Sequence, residues 1–193
     1  MLVLGSRLND TPVMSLQTGT RLARTSTPLI NPANLKIVAF KLDGPLLSEQ
    51  PSFLRTADIR EMSSVGMIID SSDELIGLDD VIKIKQLHEL NFSLIGMSVI
   101  DENRHKLGKV SNYTVDTSSF VIQQLDVQRG ILKGLTETSI LIHRSQITEI
   151  NDNAIIVKTT AKRLVPEPVM KATRNNYVNP FRSVSPQTEN RDS

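Results

Sequence analysis

Leu94 to Val127, LIGMSVIDENRHKLGKVSNYTVDTSSFVIQQLDV, reads as three short strands joined by tight turns. Gly96 to Ile100 is the first strand, Leu107 to Val115 the second and Phe120 to Val127 the third. The polar stretches Asp101 to Lys106 and Asp116 to Ser119 make the turns. Short apolar runs punctuated by Asp, Asn and Ser clusters are the signature of an antiparallel meander, as a small β-barrel requires.

Sliding the chain against itself shows that this meander occurs twice. At an offset of 85 residues Met14 falls on Val99, Leu22 on Leu107 and Ala23-Arg24 on Gly108-Lys109. Further along, Leu35 falls on Phe120, Ile37 on Ile122, Phe40 on Leu125 and Leu42 on Val127, with no gap over residues 12 to 42. Beyond that the offset becomes 88, and Ile59 meets Ile147, Glu61 meets Glu149 and Met67-Ile68-Ile69 meets Ile155-Ile156-Val157. The extra residues fall between Val127 and Gln146, where a hairpin loop absorbs them. A fixed period of this kind points to two copies of one β unit.

Composition agrees with strands. The chain of 193 residues is 39% hydrophobic, with five Phe, two Tyr and no Trp, so its core is built from Ile, Leu and Val. The β-branched Ile and Val among them pack well on pleated surfaces. The formal net charge of +1 selects no partner by field alone. The absence of cysteine excludes disulfides, thiolate zinc sites and a cysteine nucleophile. No run approaches the ~20 apolar residues of a membrane span, and MLVLGSRLND lacks the long apolar centre of a signal peptide. The expected location is cytoplasmic, which makes the glycosylation sequons at Asn9, Asn91 and Asn112 chance matches.

The organisation that follows is all-β. A first barrel-like unit spans residues 1–72, a connector 73–91, a second unit 92–160 and a polar, Pro-containing tail 161–193. In the connector, Asp79 or Asp80 is a suitable N-cap for a short helix from Val81 to Glu89, with Val81, Ile84 and His88 on one stripe. The alternation in Val81-Ile82-Lys83-Ile84-Lys85 also permits a strand. In either form the connector is placed to pack between the two units. The tail carries six Lys or Arg against three Asp or Glu and shows no apolar periodicity, a composition that predicts disorder.

The two units resemble PRC-barrel domains, the family of the cytoplasmic domain of the photosynthetic reaction-centre H subunit and of the C-terminal half of RimM-type ribosome maturation factors. The resemblance lies in Leu94 to Asp116, with its L-I-G-x-x-V strand, polar turn and L-G-K-V strand ending in Asp. Ser139 to Val157 then resembles the family's closing strands. His143-Arg144 stands where the family often has Pro. In the first unit Ala23-Arg24 replaces Gly-Lys, and Leu-Ile-Gly is missing at the start. The resemblance implies a non-enzymatic adaptor that docks onto larger assemblies, either membrane complexes from the cytoplasmic side or ribosomal components.

No catalytic or metal motif competes with that reading. His88, His105 and His143 are scattered, and no H-x3-H pair occurs. Asp70 to Glu74, with Asp79-Asp80 behind it, lacks the D-x-D-x-D-G pattern and distal Glu of a calcium loop. There is no nucleophile elbow, P-loop or dinucleotide fingerprint. An enzyme, a cofactor and a metal are therefore not expected.

Two stretches are candidates for partner binding. Tyr177, Pro180, Phe181 and Arg182 in the tail have the aromatic and Arg content of binding hot spots. Arg104, Lys106 and Lys109, with His105 between them and Arg129 and Lys133 further on, form a basic hairpin. That hairpin is suited either to phosphate contact, without aromatics for base stacking, or to discouraging strand addition at a sheet edge. The expected function is a cytoplasmic protein-binding scaffold. The alternatives are an RNA-linked ribosome assembly factor and a peripheral component of a membrane complex.

Overall fold

Half of the fold is an echo of the other half. A computed structural model describes residues 1–129 and 139–158. The first half carries β1 (Leu2–Leu4), β2 (Pro12–Ser15), β3 (Arg21–Asn31), β4 (Lys36–Asp43), β5 (Ser52–Arg55), β6 (Glu61–Ser63), β7 (Gly66–Ile69) and β8 (Leu75–Gly77). After the helix α1 (Ile82–Leu90) come β9 (Ser98–Asp101), β10 (Lys106–Asp116), β11 (Val121–Gln128), β12 (Ser139–His143), β13 (Ile147–Ile150) and β14 (Ala154–Val157). In each half three antiparallel ladders run through consecutive strands: β2-β3-β4-β5 and β9-β10-β11-β12. In each, a hairpin, β6-β7 or β13-β14, returns so that its second strand lies parallel to the first strand of the meander.

The repeat register needs one change. Val13 pairs with Ala23 and Met67, while Val99 pairs with Gly108 and Ile155. Val13 is therefore the counterpart of Val99 at an offset of 86, and Met14 of Ile100. Because side chains alternate with period two, a one-residue slip would turn this strand inside out. The extra residue lies in the turn between β2 and β3, and the burial of Val13 and Ser15 matches that of Val99 and Asp101. The same offset recovers the strand opening thought missing from the first unit: Leu8-Asn9-Asp10 stands for Leu94-Ile95-Gly96. Leu8 and Leu94 are both buried in the core. Asp10 (φ 56°) takes the left-handed backbone of Gly96 (φ 86°), which a short polar side chain tolerates.

The two halves meet edge to edge. Val121 on β11 lies opposite Lys36 on β4. Around that pair the Ile37 amide donates to the Phe120 carbonyl and the Ile122 amide to the Leu35 carbonyl, both at 2.9 Å. The result is one continuous, open sheet in the order β13-β14-β9-β10-β11-β4-β3-β2-β7-β6. One apolar cluster runs through it, holding Val13, Ile37, Phe40 and Met67 together with Val99, Phe120, Ile122 and Leu125. Phe40 and Phe120 meet edge to face with centroids 6.1 Å apart. Leu35 and Phe120 both take left-handed backbone, φ 54° and 55°. That conformation costs about 1–2 kcal/mol per residue, and burying the two side chains at the junction offsets it.

The connector is not a bare linker. Its residues Leu75 to Gly77 extend the first half's sheet beside β5. Helix α1 covers the outer face of that half rather than sitting between the units: Ile84 packs on Leu29, Ala39 and Phe53, and the His88 ring meets Phe53 edge-on at 5.3 Å. Val81 occupies the cap position without a side-chain bond. Asp80 accepts from the Gly77 amide at 2.6 Å, and Asp79 accepts from Lys85 at 2.7 Å. Both aspartates are thus used by the turn and the helix surface, not as the N-cap.

Candidate interaction surface

The basic hairpin has a defined frame. Asp101, the last residue of β9, is buried although charged. Its carboxylate accepts the His105 amide at 2.8 Å and faces His105 Nδ1 at 3.0 Å. Burial pushes that carboxyl up, but the bonds and charge of His105 outweigh it and hold it below the ordinary carboxylate value. The turn closes through the Arg104 amide on the Asp101 carbonyl at 2.9 Å, with Arg104 in left-handed backbone at φ 64°. This places Arg104, Lys106 and Lys109 in solvent, with Arg129 exposed just past the end of β11. Lys109 lies opposite Gln128, so this end of β11 and the hairpin present their cations on one end of the sheet.

That arrangement corrects one expectation. Lys106 and Lys109 belong to β10, which is paired on one side with β9 and on the other with β11. Lys109, opposite both Ser98 and Gln128, does not guard a free edge. Gly108 between them admits the Gln128 carbonyl: a Cβ there would stand 2.2 Å from that oxygen. A larger residue at this point would push the two strands apart and spread the cations.

The histidines stay apart. His143 caps the turn that follows β12, its Nδ1 accepting the Ser145 amide at 3.2 Å. His88 lies against Phe53 and His105 against Asp101. Among the described residues no group of three or more His, Asp or Glu is placed to hold a metal ion, and no helix is long and apolar enough to cross a membrane. Tyr177, Pro180, Phe181 and Arg182, like Lys133, lie outside the described residues.

Two further surface features were not anticipated. The outer face of the first half is apolar and covered by α1. Its counterpart in the second half carries Thr114 and Gln124 beside Leu141, which is 60% exposed. The second feature is a cleft of 370 Å3 beside the junction of β4 and β11, lined among others by Lys36, Thr56, Glu61, Ser119 and Phe120. The offset of 85 already put Leu35 on Phe120, but nothing in the repeat says that equivalent residues of the two copies touch each other.

A search of curated proteins finds no match. Residues 90–164 match the model of a known domain family, the PRC-barrel domain.

Proposed function

We propose that the chain, whose residues 90–164 match the PRC-barrel domain model, is a non-catalytic, cytoplasmic docking module that binds a larger protein assembly through the surface of its sheet. The family match is the observation that carries this reading. The resemblance drawn from the sequence associates such domains with attachment to larger complexes. The exposed cations of Arg104, Lys106 and Lys109, held in place by the Asp101–His105 turn, supply a contact surface for an acidic partner face. Charges of this kind steer encounter and fix orientation more than they add affinity. The tail residues Tyr177, Pro180, Phe181 and Arg182 provide a second contact, which would raise effective concentration without new contacts on the sheet.

The basic hairpin also favours a second reading, attachment to RNA in a ribosomal particle, through phosphate contacts that weaken steeply with salt. A peripheral place on a membrane complex is the third.

Affinity capture from native extract separates them. The baits are the full chain, a chain ending at Thr160, and the full chain with Arg104→Glu, Lys106→Glu and Lys109→Glu. A stoichiometric protein partner lost by charge reversal supports the docking reading. Salt-sensitive recovery of ribosomal RNA moves the function to the second reading. Recovery of membrane proteins that survives high salt favours the third. Equal recovery by the full and shortened chains removes the tail from the mechanism.

A further inference from the structure

The two flanks of the β4–β11 junction are related by the same approximate two-fold that exchanges Lys36 with Val121, yet they are filled differently. On one flank the turn after β12 begins with Arg144. Its guanidinium reaches across the junction and donates to the Asn34 carbonyl at 3.3 Å. On the other flank the turn after β5 begins with Thr56. The β4–β5 and β11–β12 ladders align Arg55 with His143, so Thr56 holds the position of Arg144. Its hydroxyl donates to the carbonyls of Ile37 and Val38, at 3.1 and 3.2 Å, and the side chain ends there. The carbonyl equivalent to that of Asn34 is that of Ser119, and the space before it is the 370 Å3 cleft.

We propose that this cleft receives an arginine side chain of a bound protein, in the place that Arg144 fills on the opposite flank. The guanidinium donates to the Ser119 carbonyl and to the Glu61 carboxylate, and the aliphatic stem lies along Met62 and Ile59, all of which line the cleft. A planar fork can reach two separate acceptors at once, which a single ammonium point charge does less well. Two cations also line the cleft. Arg60 is bonded to Asp70, and Lys36 is exposed on a flexible stem that can turn to solvent. The proposal names the chemistry of the partner and so rests on the docking reading above.

The test is amide NMR of the full chain titrated with acetyl-arginine methylamide, with acetyl-lysine methylamide and inorganic phosphate as comparisons. Arginine should shift the amides of Glu61, Met62 and Ser118 to Val121. Those shifts should vanish in Thr56→Arg, where the chain fills its own cleft, as the second half shows it can. Glu61→Gln, which leaves the fold untouched, should weaken binding roughly tenfold for the loss of a charge-assisted bond. No arginine response, an unchanged response in Thr56→Arg, or the same amides answering to phosphate would each overturn the proposal. A partner captured equally well by Thr56→Arg would overturn the cleft's role while leaving docking intact. A working cleft without any captured partner would instead sink the docking reading alone.

Discussion

Ile37 and Ile122 occupy the same position in the two copies of the repeat, and each donates its amide into the other copy, at 2.9 Å to the carbonyls of Phe120 and Leu35. Equivalent residues meeting in this way is what an approximate two-fold axis through the Lys36–Val121 pair requires. Each copy therefore completes the other's edge, and the apolar cores run together behind it.

The aromatic pair at this junction is expected to be stability-determining. Phe120→Ala removes a buried ring that meets Phe40 edge to face. Deletions of this kind cost about 3–5 kcal/mol. Urea denaturation should show the loss as a lower midpoint with an unchanged slope.

Helix α1 should be held by one residue on its buried side. Ile84→Ala leaves a cavity against Leu29, Ala39 and Phe53 and should cost about 2–4 kcal/mol. Ile82, 76% exposed on the same helix, should tolerate alanine within about 0.5 kcal/mol. Thermal melts of the two variants compare them directly.

Close approach fixes Gly5 and Gly108, among other glycines. A Cβ on Gly5 would stand 2.3 Å from the Tyr113 ring, and one on Gly108 would stand 2.2 Å from the Gln128 carbonyl. Gly5→Ala and Gly108→Ala should each destabilise by about 1–3 kcal/mol, the range for overpacking. Gly108→Ala is expected to be the worse of the two, because backbone yields less than a ring.

Two groups carry pH-dependent predictions. Burial pushes the Tyr113 phenol up to about 12. In a Tyr177→Phe background, ultraviolet titration should place the remaining phenol near that value rather than near the usual value of about 10. A raised phenol favours the folded state fully below the unfolded value, and that contribution disappears as pH climbs through the folded one. At the acid end, bonds from Ser118 and Ser119 pull the Asp116 carboxyl down to about 2. A depressed carboxyl stabilises above its unfolded value, and the benefit is lost as pH falls toward 2. Asp116→Asn should lower the plateau above pH 5 and flatten the fall in melting temperature between pH 5 and pH 2, so that the variant and the parent converge near pH 2.

The strands were legible because alternation and turn chemistry are local. The meander from Leu94 to Val127 falls within a residue or two of β9 to β11, and the repeat survives once β2 is shifted by one residue. Part of what escaped was long-range. The short strands β1 and β8 have little periodicity of their own and are strands only because β10 and β5 offer them an edge. The Asp80 side chain looked like a helix cap but is taken by the Gly77 amide. The junction could not be read because pairing between copies leaves no spacing in the sequence. For the interaction surface, charge was readable at Arg104, Lys106 and Lys109. The role of Asp101 in pinning that turn was not, since its partner is His105's own backbone.

The whole account depends on two copies of one β unit fused into a single cooperative body. Native-state hydrogen exchange at the Ile37 and Ile122 amides, followed through low concentrations of denaturant, tests this most directly. Both amides should open only with global unfolding, with the same free energy and the same denaturant dependence. Exchange of either one through an opening that leaves the other half protected would contradict it.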